Sequence, residues 1–169
     1  MLAVDLVVFD ERWNAVPGLE RIQLLADAAI RTLERQDDGD EVVVALSTDD
    51  EVRQLNRSYR GKNSATNVLS FPAVADVETR SFGDVILAFE TCEAEAGERG
   101  IELSDHACHL ALHGILHLLG QDHEDEAEAE AMERLETRLL GSLGIADPHS
   151  ANELEAYEED MPDDPQEEL

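Results

Sequence analysis

Residues 113–123 read His113-Gly114-Ile115-Leu116-His117-Leu118-Leu119-Gly120-Gln121-Asp122-His123. Two histidines four residues apart stand one turn above each other on the same face of a helix. Their imidazoles can share one metal ion. Gly120 then ends the helix, because glycine takes up the left-handed backbone that a helix C-terminus often requires. The chain turns there, and His123 can return a third nitrogen to the same point. Three protein nitrogens leave the fourth tetrahedral position to water, the arrangement of a catalytic zinc site and not of a closed structural one. One metal ion per chain is therefore expected, held by His113, His117 and His123.

The rest of the chain supplies a scaffold for that helix. Leu2 to Phe9 is apolar and β-branched and reads as a strand. Leu19, Ile22, Leu25, Ala26, Ala29, Ile30 and Leu33 recur at helical spacing between Gly18 and Arg35. Gln36 to Asp40 is a loop, and Glu41 to Leu46 a second strand. Ser47 or Thr48 can cap a helix that opens on Asp49-Asp50-Glu51, where carboxylates suit the positive end of the helix dipole, and that runs to about Tyr59. Arg60 to Ser64 reads as a polar loop. Thr66 to Phe71 is a third strand closed by Pro72, a residue suited to an edge or strand end. Ala73 to Ser81 is a linker and Val85 to Phe89 a fourth strand. A short helix follows from Thr91 to Arg99, ending at Gly100. Ser104 is placed to cap the histidine helix, which runs to Leu119, and Glu124 to Leu140 is a last amphipathic helix with Met132, Leu135 and Leu139 on one side. Strands and helices mix without regular βαβ repetition. The expected class is α+β: a single domain with a small four-stranded mixed sheet, about five helices and a zincin-like metal helix.

The formal charge of −28 on 169 residues favours solubility and opposes non-specific nucleic-acid binding. It is unevenly spread. Residues 146–169 hold ten Asp or Glu and no Lys or Arg, leaving −18 on residues 1–145. The expected division is a folded domain over residues 1–146 and an acidic, disordered tail over 147–169. No apolar run approaches the ~20 residues needed to cross a bilayer. The start, Met1-Leu2-Ala3-Val4-Asp5, lacks the basic region of a signal peptide. Cys92 and Cys108 are the only cysteines, with no secretory context to pair them. A cytoplasmic protein with no membrane partner is expected.

Four histidines lie on the metal helix: His106, His109, His113 and His117. At 100° per residue they fall within an arc of about 80°. His109, one turn before His113, is either a support for the site or a hydrogen-bonded core histidine. His106, in the first turn, reads as exposed, and His149 is given no role. The spacing H-x3-H-x2-G-x2-H also occurs in metzincin proteases, which carry a glutamate as general base directly after the first histidine. Here that position is Gly114.

The full string from His113 to His123 instead closely resembles the YbeY family of bacterial rRNA maturation factors, metal-dependent endoribonucleases. The resemblance extends to Leu55-Asn56-Arg57-Ser58-Tyr59-Arg60-Gly61, to Thr66-Asn67-Val68-Leu69-Ser70-Phe71-Pro72, to Gly83-Asp84-Val85-Ile86 and to Asp125–Glu136, spanning about residues 4–148. Two positions depart from the pattern: Asn67 stands where the family usually has Asp, and Gln121 where it often has Tyr. The resemblance implies a single-strand-specific ribonuclease acting in 16S rRNA 3′-end maturation and ribosome quality control. Its implied partners are single-stranded RNA, the 16S rRNA precursor, the small ribosomal subunit and its assembly factors, with no DNA. It implies zinc (Zn2+) on His113, His117 and His123, and a catalytic role for Arg60.

The chemistry agrees. Three neutral imidazoles leave the double charge of the ion uncancelled, which favours an anionic phosphodiester. Such an ion can polarise a phosphoryl oxygen and lower the pKa of a bound water. A forked guanidinium suits a phosphate. Arg53, Arg57, Arg60 and Lys62 place four of the twelve basic residues within ten positions, a local track for RNA in an acidic molecule. No aromatic stacking platform of the RNA-recognition type stands out. A metallopeptidase-like hydrolase and a non-catalytic ribosome-assembly factor are the competing readings.

Overall fold

The computed structural model describes residues 2–35, 40–61, 66–73, 81–121 and 125–148, apart from the side chain of Arg60. Four strands form one sheet: β1 (Ala3–Val8), β2 (Glu41–Ser47), β3 (Val68–Pro72) and β4 (Ser81–Ala88). Their order is β1-β2-β4-β3. β1 and β4 run parallel to β2, and β3 runs antiparallel to β4. The sheet is thus mixed, and β3 is an edge strand that ends in Pro72, a residue suited to an edge or a strand end.

Among the described residues five α-helices cover the sheet: α1 (Arg21–Thr32), α2 (Asp49–Arg60), α3 (Phe89–Arg99), α4 (Leu103–Leu118) and α5 (Glu126–Gly141). Alternation along the strands divides the core in two. Val42, Val44 and Leu46 of β2 and Val85 and Leu87 of β4 face one side, with Leu25 of α1, Leu112 of α4 and Leu139 of α5. Ala45, Leu69, Ile86 and Ala88 face the other, under Val52 and Leu55 of α2. The α4 helix is apolar around most of its circumference and is correspondingly enclosed, every residue from His106 to Leu116 being buried. It packs on β3, β4, α1, α3 and α5.

Several boundaries differ from those read in the sequence. Thr48, and not Ser47, caps α2, its hydroxyl accepting from the Glu51 amide at 3.2 Å. Arg60 is the last residue of α2 and not the first of a loop; the turn is made by Gly61 at φ 69°. The β4 strand begins at Ser81, and Phe89 already belongs to α3. Ser104 does not cap α4: the helix starts at Leu103 with Glu102 at the cap position and no side-chain capping bond. Helix α5 starts at Glu126, where Asp125 caps it through the Glu128 amide at 2.8 Å. A 3-10 turn at Glu11–Ala15 was not anticipated. It buries Trp13, whose indole N–H donates to the Ser47 carbonyl at 2.8 Å. The loop 36–39, most of the linker 74–80 and the tail from 149 lie outside the described residues. No helix among the described residues is long and apolar enough to cross a membrane.

Candidate metal centre

The histidine face survives folding intact. His106, His109 and His113 are almost wholly buried and His117 is partly so. Nε2 of His113 and Nε2 of His117 face each other at 3.1 Å. Two bare imidazole lone pairs would repel at that distance, so either a proton on one nitrogen or a cation between them must mediate the contact. Two nitrogens bound at ~2.0–2.1 Å on a tetrahedral ion lie about 3.3 Å apart. The pair therefore fits two corners of such a site.

The reason His113 points this way lies on α5. Its Nδ1 is 2.6 Å from Oε2 of Glu136, and the other carboxylate oxygen, Oε1, is 3.0 Å from Nε2 of His109. Glu136 is 1% exposed. A buried carboxylate accepts, so Nδ1 of His113 carries the proton and Nε2 keeps its lone pair for a metal. The sequence reading missed Glu136, although a signal was present. It falls four residues after Met132 and three before Leu139, inside the apolar stripe of α5, and a carboxylate there needs a buried partner. His109 is a buried, hydrogen-bonded histidine, and its partner is the same carboxylate that contacts His113.

His106 corrects an expectation. It is 1% exposed, because α3 lies against the first turn of α4 and Glu95 meets its Nε2 at 2.8 Å. Asn67 donates to the same Glu95 oxygen at 3.0 Å. This second network ties the start of β3 to the metal helix. Asn67, where the family pattern usually has a carboxylate, here supplies a donor to Glu95, which a carboxylate at that position could do only if protonated.

Gly114 settles what α4 can do beside its first histidine. A Cβ there would sit 2.7 Å from Cγ1 of Val85 and 2.8 Å from Oγ of Ser70. The helix backbone is pressed onto the sheet, and no glutamate of the protease type has room. Gly120 closes the helix at φ 95°, with its amide on the His117 carbonyl at 3.0 Å. His123 and the side chain of Arg60 lie outside the described residues. Of the three expected ligands, His113 and His117 are thus seen together, and among the described residues no three His, Cys, Asp or Glu side chains are arranged to hold a metal ion.

The comparisons with known proteins bear on this arrangement. The family model of the endoribonuclease YbeY matches residues 11–144. The chain belongs to the YbeY family of endoribonucleases. Relatives of that name are spread along nearly the whole chain. The YbeY endoribonuclease of Paramagnetospirillum magneticum is 48% identical over 144 residues, covering 80% of this chain and 88% of its own. That of Maricaulis maris is 43% identical over 150 residues, covering 88% and 92%. Among solved structures, the solution structure of TM1509 from Thermotoga maritima superposes with a TM-score of 0.55 at 23% identity, covering 83% of this chain and 91% of that one. That likeness concerns the fold.

Proposed function

We propose that this chain is a zinc-dependent endoribonuclease that cleaves single-stranded RNA in the cytoplasm, acting in 16S rRNA 3′-end maturation and ribosome quality control on the small ribosomal subunit. The observation that carries this reading is the 3.1 Å approach of the two Nε2 atoms, backed at His113 by a buried carboxylate. His113, His117 and His123 hold the ion, one per chain. Zinc, when bound, supplies Lewis acidity toward a phosphoryl oxygen and an attacking water. The chain itself supplies orientation. Glu136 keeps the His113 lone pair outward, and the sheet pressed on Gly114 fixes the height of the helix. Arg60 is assigned to the substrate phosphate, where a planar, permanently charged fork can bind two oxygens at once.

The test pairs metal content with cleavage. Wild type should carry one zinc and cut single-stranded RNA faster than duplex RNA, leaving casein intact. His117→Ala should lose both metal and cleavage. Arg60→Ala should keep the metal while activity falls on the order of a hundredfold, if the guanidinium meets charge developing in the transition state. Arg60→Lys should restore only part of that. Undiminished cleavage by His117→Ala would refute the metal-dependent reading. A variant that no longer cleaves yet still supports ribosome maturation would favour the non-catalytic assembly factor.

A further inference from the structure

Tyr59 is 64% exposed, one of few large apolar side chains left in solvent among the described residues. It is not loose. Its ring lies 5.4 Å from that of Phe71, tilted by 58°. Phe71 belongs to the edge strand β3 and packs with Leu55 against the α2 side of the sheet. The tyrosine ring thus stands propped at the last turn of α2.

The same helix carries the exposed cations. At 100° per residue and relative to Arg53, Arg57 lies at about 40° and Arg60 at about 340°, so the three positions form one stripe. Arg53 and Arg57 are both exposed. Among the described residues Arg53 pairs with Asp50, at 3.5 Å, with both groups well solvated, a contact a phosphate can displace. Tyr59 lies about 100° round the helix from Arg60, on the sheet-facing arc of Val52 and Leu55, and stands exposed one turn beyond Leu55.

The strand β3 links this ledge to the metal helix. Ser70 donates from Oγ to the Gly114 carbonyl at 3.3 Å, and Gly114 lies between the two histidine ligands. The next residue, Phe71, faces the opposite side of the sheet and holds Tyr59. The order β1-β2-β4-β3 leaves the outer side of β3 without a neighbouring strand among the described residues. One strand's thickness therefore separates the propped ring from the metal helix.

We propose that Tyr59, braced by Phe71, is a stacking ledge for an unpaired base of a single-stranded nucleic acid whose phosphates follow Arg53, Arg57 and Arg60 and which crosses the β3 edge to the metal centre; this rests on the ribonuclease reading. Stacking on an aromatic face tolerates any base and requires one out of its duplex. The ledge is thus a source of single-strand preference that needs no base-specific hydrogen bond. It also supplies binding independent of charge, which matters where the whole molecule repels phosphate.

The experiment compares full-length wild type with Tyr59→Ala, Tyr59→Phe and Tyr59→Trp, using a non-cleavable 2′-O-methyl oligoadenylate and an abasic oligomer of equal length and charge. Tyr59→Ala should weaken oligoadenylate binding on the order of tenfold. Tyr59→Phe should hold it near wild type, and the abasic oligomer should bind all the variants alike. Trp13 is the only native tryptophan and is buried, so emission from the Tyr59→Trp protein has a new, exposed source. Oligoadenylate should quench that emission and the abasic oligomer should not. Equal binding of oligoadenylate by wild type and Tyr59→Ala, or unmoved emission in Tyr59→Trp, overturns the ledge while wild-type cleavage of RNA leaves the ribonuclease reading standing. A wild type that neither binds nor cleaves single-stranded RNA overturns that reading, and the ledge with it.

Discussion

Glu136 does more at the proposed metal centre than its position in the sequence suggests. One carboxylate serves two histidines, at 2.6 and 3.0 Å, from a helix that supplies neither. Partners of this kind fix the tautomer and ring orientation of a ligand, and losing them costs about 10–100-fold in metal affinity. Glu136→Gln, which keeps the shape and removes the charge, is expected to weaken zinc by that factor in competition with a chelator. An unchanged zinc affinity would show that His113 holds its orientation without the carboxylate. Gly114 makes a second prediction. A glycine-to-alanine change inside a helix ordinarily stabilises by up to about 1 kcal/mol. Here the new methyl would meet Val85 at 2.7 Å and Ser70 at 2.8 Å. Overpacking should win, and Gly114→Ala should lose about 1–3 kcal/mol in urea unfolding. A gain in stability would mean that α4 can lift off the sheet.

The two faces of the sheet are unequally covered. One is sealed by α1, α4 and α5, while on the other α2 lies over β3 and β4. Beside α2 an open groove of about 250 Å³ runs over Val43, Ala45 and Ile86, between Phe9 and Leu55. Asp84 of β4 lines it, and although the residue is exposed, partial desolvation in the groove pushes its carboxyl above the ordinary 3.8. A raised carboxyl pKa means that the folded state binds the proton more tightly than the unfolded one. The stability tied to that proton is present at low pH and is lost as pH rises through the raised pKa. Asp84→Asn removes the titration, so it should be more stable than wild type at neutral pH. The difference should fade as pH falls below about 4, where Asp84 is protonated in both states. Denaturant midpoints across pH 3–8 would check this, and a pH-independent difference would show that the effect is not ionisation.

At the scale of the molecule, charge sets the terms of binding. Removing residues 149–169 deletes nine carboxylates and no cation, which takes the formal charge from −28 to −19. So acidic and apolar-poor a segment has little to bury. Its removal should leave the melting temperature nearly unchanged. It should also raise the association rate with single-stranded RNA at low salt, the gain vanishing as salt screens the field. A large fall in melting temperature would show that the segment docks on the folded body.

Periodicity made the scaffold legible. The apolar, β-branched strand runs, the apolar spacing of α1, the helix-ending glycines Gly100 and Gly120, and the i, i+4 histidines are all set by bonds within a few residues, so each could be read where it stands. Pro72 could be read in the same way as fitting an edge or a strand end, and β3 has both, at the edge of the sheet with Pro72 last. What the sequence alone could not determine was which side chains would meet across elements. Glu136 lies 23 residues from His113 and Glu95 lies 11 from His106, and each contact exists only because α5 and α3 pack on α4. Burial is likewise a property of the assembled layers. His106, in the first turn of its helix, looked exposed until α3 closed over it. The histidine helix was therefore written locally, while the carboxylates that meet its histidines were chosen by packing, since a buried imidazole or carboxylate is tolerable only with a hydrogen-bond partner.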